Sequence, residues 1–252
     1  MTRALTQDDL LDVVEREGTR GAADADGADH DRPVPGCPGL TVGETARHLG
    51  SVYRMVVTWL RTGERPTSWS RQPRDGEPVE DYLRDGLRAL LGELAAHPPD
   101  TPCASWHPYD RTYGFWRRRM AHESTVHRTD IEAALGRDLT PIAEEVALDG
   151  VDEVMHLWFT HRLAERGVVG TRHATVAVRS AHRAWLATMD PTGTVSADAA
   201  ETAPADAVIT GDPTEMYLWL WGRRAVYDRS VRQSGDFDAI AQFWALLRLA
   251  TK

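Results

Sequence analysis

The spacing of apolar residues changes once along this chain, near residue 166, and that change limits the folds open to it. Before it, apolar residues recur at helical intervals over long segments. A first helix is expected over Thr6–Glu17, with Leu10, Leu11 and Val14 as its stripe and Asp8 and Asp9 at its positive end. The Gly-, Ala-, Asp- and Pro-rich stretch 18–40 reads as loop. Thr41 and Glu44 fit a capping box, which starts a helix running to about Arg61. Leu83, Leu87, Leu90, Leu91 and Leu94 place a third helix over Val79–Ala96, stopped by His97-Pro98-Pro99. Two more are expected over Tyr113–Leu135 and Ala143–Arg166. Beyond them the apolar runs are short and rich in small and β-branched residues. Strands are expected at 174–178, 185–189 and 207–210, and helices at 214–224 and 237–249. The pattern therefore predicts an α + α/β chain of two units, a helical bundle over 1–166 and a small α/β domain over 167–252.

The 252 residues, 42% of them hydrophobic, suffice for two modest cores. The net charge of -9 and the lack of a basic stripe argue against nucleic acid as a partner. Lys252 is the only lysine, and with the abundance of Arg, Ala, Gly, Asp and Trp this suggests a GC-rich bacterial genome. No run approaches the roughly 20 apolar residues of a membrane helix, and no signal-peptide pattern opens the chain, so a cytoplasmic protein is expected. Cys37 and Cys103 belong to no CxxC pair and read as free thiols.

Glu123 and His127 stand at i, i+4 and project from one helix face, in line with Trp116, Met120, Ile131 and Ala134. His48 interrupts another apolar face, that of Thr45, Val52, Met55 and Trp59. An ionised carboxylate facing a core costs several kcal/mol unless it is paired or binds a metal. One Glu and two His on facing helices would make a three-ligand divalent site with a position left open, a set suited to zinc. The same residues could hydrogen-bond with no ion. Asp130, one turn past His127, is placed to orient it or else is a solvated charge; Arg119, one turn before Glu123, is placed to pair with it or to join Arg117 and Arg118 in an anion-binding face. His122 precedes Glu123, but the order His-Glu-x-x-x-His is one residue too long for a zincin. His122 and His127 also point about 140° apart on a helix.

Four ordered blocks then carry a family resemblance. They are Pro35-Gly36-Cys37-Pro38-Gly39-Leu40-Thr41 with Ala46-Arg47-His48-Leu49-Gly50, Phe115 to Glu123 with Val126-His127-Arg128-Thr129-Asp130, Ala147 to Glu153, and Ala207 to Pro213 with Leu218-Trp219-Leu220-Trp221-Gly222-Arg223. Together they resemble the mycothiol-dependent maleylpyruvate isomerase family. Leu40 stands where that family usually has tryptophan. The resemblance implies a DinB-like four-helix bundle followed by a small α/β domain like sterol carrier protein 2. It implies zinc held by His48, Glu123 and His127, and an active role for Arg223, which as a carboxylate clamp would share cosubstrate binding with Arg119. It also implies a low-molecular-weight thiol, mycothiol, whose sulfur attacks an electrophilic carbon of a small organic substrate, giving isomerisation or S-transfer. A monomer suffices for this.

Two other functions fit parts of the same sequence. The aromatic run Tyr217, Trp219 and Trp221 could line an apolar pocket of a non-catalytic small-molecule or lipid carrier. A metal-dependent hydrolase would use water in place of the thiol.

Overall fold

The computed structural model describes residues 4–107 and 109–251. Residues Leu5–Thr140 form one compact unit, and the chain from Pro141 onward forms another.

The first unit packs four helices, α1 (Gln7–Ala25), α2 (Val42–Thr62), α3 (Val79–Ala95) and α4 (Tyr113–Ala134). The capping-box geometry predicted for Thr41 is found in reciprocal form at Thr6, whose side chain accepts from the Asp9 N–H while Asp9 accepts from the Thr6 N–H. At α2, Thr41 Oγ1 accepts from the Glu44 N–H at 3.2 Å, and the Glu44 carboxylate turns to Arg47. Gly63, in the left-handed region at φ 75°, closes α2.

The stretch 18–25, expected as loop, is helical. Its glycines mark close packing rather than chain breaking: a Cβ at Gly18 would lie 2.7 Å from the Leu87 side chain. That proximity lets α1 lie against α3 and α4.

Helix α4 is buried on nearly every side, so its sequence shows no clean amphipathic stripe. The polar groups it carries inward are paired. Arg128 donates to Glu17 on α1 at 2.7 Å and to Glu132 at 2.8 Å, and Glu132 also accepts from the Thr140 hydroxyl at 2.7 Å. Arg117, expected to share a solvated or anion-binding face, is buried and ties α4 to Asp8 and to the Leu94 and His97 carbonyls.

The second unit begins with a continuous helical segment. It comprises α5 (Glu144–Glu153), a π-helical stretch (Val154–Arg162) and a last turn, α6 (Leu163–Glu165). Sequence reasoning placed this segment in the bundle and the boundary at 166. It packs instead within the second unit, on β3, α7 and α8. The sheet has order β3-β2-β1-β4-β5, with β1 (Ala174–Ser180) parallel to β4 (Ala207–Gly211) and the other pairs antiparallel. Strands β2 (Arg183–Asp190), β3 (Gly193–Asp198) and β5 (Val231–Gly235) complete it, and α7 (Pro213–Leu220) and α8 (Phe237–Ala250) cover it. β3 and β5 have few large apolar residues, which hid them from a pattern search. The α + α/β class is as expected.

Tyr217, Trp219 and Trp221 are buried core residues, packed against Trp158 and Phe243. Both cysteines are unbridged. Among the described residues no helix is long and apolar enough to cross a membrane.

Candidate metal centre

The packing of α2 on α4 brings His48 to Glu123 and His127. The register is fixed beside them by a buried hydrogen bond. The Ser124 hydroxyl donates to the Met120 carbonyl at 2.7 Å, so Tyr53 on α2 donates to Ser124 at 2.6 Å. Sequence reasoning missed this pair; the only signal for it was a serine directly after Glu123.

One ligand atom from each of His48, Glu123 and His127 lies within 4.8 Å of the others. Glu123 Oε1 is 3.2 Å from His48 Nε2 and 3.4 Å from His127 Nε2. The other oxygen, Oε2, accepts from Arg119 Nη2 at 2.7 Å. His127 Nδ1 lies 3.0 Å from Asp130 Oδ2. Asp130 as a carboxylate only accepts, so His127 carries its hydrogen on Nδ1 and directs Nε2 at Glu123 Oε1. A neutral His127 would set a lone pair against that carboxylate oxygen. The contact is favourable only with a positive charge between or upon the two groups, either a second proton on the imidazole or a cation.

The titration behaviour has the same origin. Burial opposes the charged forms of both groups, but the neighbouring partners outweigh it. Hydrogen bonds from His127 and His48, with the charges of His127 and Arg119, hold the Glu123 carboxyl well below its usual range. For His127, hydrogen bonds and charges from Asp130 and Glu123 overcome burial and raise the imidazole to about 9.

The donor set fits zinc. A tetrahedral ion with ligand bonds of about 2.0–2.1 Å requires ligand–ligand edges of about 3.3–3.4 Å, close to the two distances at Glu123 Oε1. Two imidazole nitrogens and one carboxylate oxygen are the ligand types of open zinc sites.

His122 is buried and lies outside this cluster. Arg223 is in the second unit, where it donates to the Trp221 carbonyl at 2.7 Å. Its neighbour Arg224 makes a two-point pair with Glu215, at 2.8 and 3.0 Å.

The model of the mycothiol maleylpyruvate isomerase N-terminal domain matches residues 11–132, and that of the corresponding C-terminal domain matches residues 145–242. The chain belongs to this isomerase family. Two solved structures resemble it, a mycothiol-dependent maleylpyruvate isomerase and a histidine-to-alanine mutant of the enzyme. TM-scores are 0.61 and 0.62 respectively, each at 11% identity over 93% of this chain and 97% of the other. No curated protein sequence matches the chain. At that identity the two structures establish a shared fold, and the isomerase-family membership rests on the two domain models.

Proposed function

We propose that the protein is a zinc-dependent enzyme that uses a low-molecular-weight thiol, with mycothiol as cosubstrate, to isomerise a small electrophilic organic substrate or to transfer the thiol sulfur onto it. The observation that carries the metal reading is the convergence of His48 Nε2 and His127 Nε2 on Glu123 Oε1 in a half-buried site. Membership of the isomerase family supports the thiol.

His48, Glu123 and His127 would hold the ion. Bound there, zinc supplies Lewis acidity that lowers the pKa of a thiol or water in its remaining position. The chain's own groups do the rest. Asp130 keeps His127 in the tautomer that offers Nε2, and Arg119 offsets the Glu123 charge. Arg223 is assigned to bind a carboxylate of the substrate or cosubstrate, a task suited to a planar guanidinium. Addition of the thiol sulfur to an activated double bond leaves a single bond free to rotate. Elimination of the same thiol then returns it unchanged and gives the other geometric isomer. Displacement of a leaving group would instead give a stable thioether.

The test is mycothiol-dependent turnover of electrophilic unsaturated acids by the parent protein, His127→Ala and Arg223→Met. Activity that needs the thiol, falls to background in His127→Ala and drops at least tenfold in Arg223→Met is expected. Equal activity without thiol would select hydrolysis, and undiminished activity in His127→Ala would refute the assignment.

A further inference from the structure

Each candidate ligand on α4 presents two atoms through which it could bind a cation. Glu123 has two carboxylate oxygens, and His127 has two ring nitrogens. In both cases one atom is already held by a side chain from the same helix. Arg119 Nη2 takes Glu123 Oε2 at 2.7 Å from one turn before, and Asp130 Oδ2 takes His127 Nδ1 at 3.0 Å from almost one turn beyond. Both partners are themselves deeply buried, with Arg119 3% and Asp130 1% exposed. Neither swings readily into solvent, and their helical spacing from the ligands is fixed by α4 itself. The atoms left over, Oε1 and Nε2, face each other at 3.4 Å.

We infer that Arg119 and Asp130 are positioning residues: Arg119 limits Glu123 to one coordinating oxygen and thereby keeps a coordination position open for an outside donor, and Asp130 selects Nε2 as the coordinating nitrogen of His127. The inference rests on the proposal that a divalent ion occupies this site. Its physical content is specific. A carboxylate released from Arg119 can chelate a cation through both oxygens and fill the position an outside thiol would take. An imidazole released from Asp130 loses the partner that fixes its tautomer, ring orientation and basicity. Of the two roles open to Arg119 from sequence, pairing with Glu123 or binding an anionic cosubstrate, this one builds on the pairing.

Arg119→Gln, Arg119→Lys, Asp130→Asn and Asp130→Ala in the full chain separate the two roles. Cobalt(II) serves as the metal, with 2-mercaptoethanol as the outside donor and its sulfur-to-cobalt absorption as the signal. The parent should bind one cobalt in the bundle with a four-coordinate spectrum and take up the thiol saturably. Arg119→Gln should shift the ligand-field bands toward higher coordination and weaken thiol saturation about tenfold at full metal occupancy, with Arg119→Lys closer to the parent. Asp130→Ala should weaken cobalt against a competing chelator by about 10–100-fold, with Asp130→Asn between it and the parent.

A parent that binds cobalt and thiol, with Arg119→Gln spectra and thiol saturation unchanged, overturns the role of Arg119. Undiminished affinity in Asp130→Ala overturns that of Asp130. A parent that takes up no cobalt removes the metal reading itself, and this inference with it. If Arg119→Gln does not fold, the Arg119→Lys spectrum carries the test, since a single ammonium donor still permits partial release of Oε2.

Discussion

Each unit of the chain contains a cluster of histidine and carboxylate with three possible ligand atoms within 4.8 Å, and the two differ in where their arginine sits. In the second unit, Arg183 pairs with both aspartates of the cluster Asp152, His156 and Asp198. Its Nη2 lies 2.6 Å from Asp152 Oδ1 and 3.3 Å from Asp198 Oδ1. Trp185 Nε1 donates to the same Asp152 oxygen at 3.1 Å, and Asp198 is largely exposed. The guanidinium occupies the place a cation would take. In the bundle, Arg119 binds the far oxygen of Glu123 and leaves the near one facing two imidazole nitrogens. Proximity of ligand-type residues is therefore a weak criterion. What distinguishes a site able to receive an ion is which donor atoms remain directed at one another after the built-in cations have taken theirs.

The sharpest way to break this comparison is to remove one histidine from each cluster. His127→Ala should weaken divalent-metal affinity by more than about 100-fold, beyond the loss usual for an outer partner, while His156→Ala leaves it within twofold. Calorimetric titration with zinc checks both. The next largest effect uses a third ionic group as a control for folding. Arg128→Met strands Glu17 and Glu132 in the interior and should cost about 3–5 kcal/mol in denaturant unfolding, with metal stoichiometry of the folded protein unchanged.

A smaller effect should follow from Arg183→Met. Its partners are partly solvated, so the stability loss should be about 1 kcal/mol or less. If the guanidinium is what closes the second cluster, the variant should gain a second, weak zinc site that His156→Ala removes.

The smallest effect is on pH dependence. Burial disfavours the charged form of Glu132, but hydrogen bonds from the Thr140 hydroxyl and N–H and from Arg128 prevail and lower its pKa below 4.5. A depressed carboxylate stabilises the fold fully above its unfolded pKa, and the contribution is lost as pH falls through the folded value. Unfolding free energy should therefore decline below about pH 5, and Glu132→Gln should flatten that decline.

Much of this was legible in the sequence, for identifiable reasons. α2 and α3 carry strong stripes and clear stops, so their bounds differ from expectation by a residue at most. Glu123 and His127 stood out because charge on a core face is costly, and His48 because it broke an apolar stripe. The extension of α1 was hidden because glycine signals both chain breaking and close packing, and only contact with Leu87 distinguishes them. The segment 144–165 was assigned to the wrong unit because helical periodicity says that a face is buried without saying against what. The pairing of Arg119 with Glu123 was legible from its i, i+4 spacing, whereas the role of Arg117 depended on neighbours about 20 to 110 residues away, which local pattern does not reach.

The central claim is that His48, Glu123 and His127 form one divalent-metal site in the bundle. Its most direct test is the metal stoichiometry of the full chain loaded with zinc and desalted, compared across the parent, His127→Ala and His156→Ala. About one zinc per chain in the parent and in His156→Ala, with almost none in His127→Ala, is the expected result. Retention of zinc by His127→Ala, or loss of it in His156→Ala alone, would contradict the account.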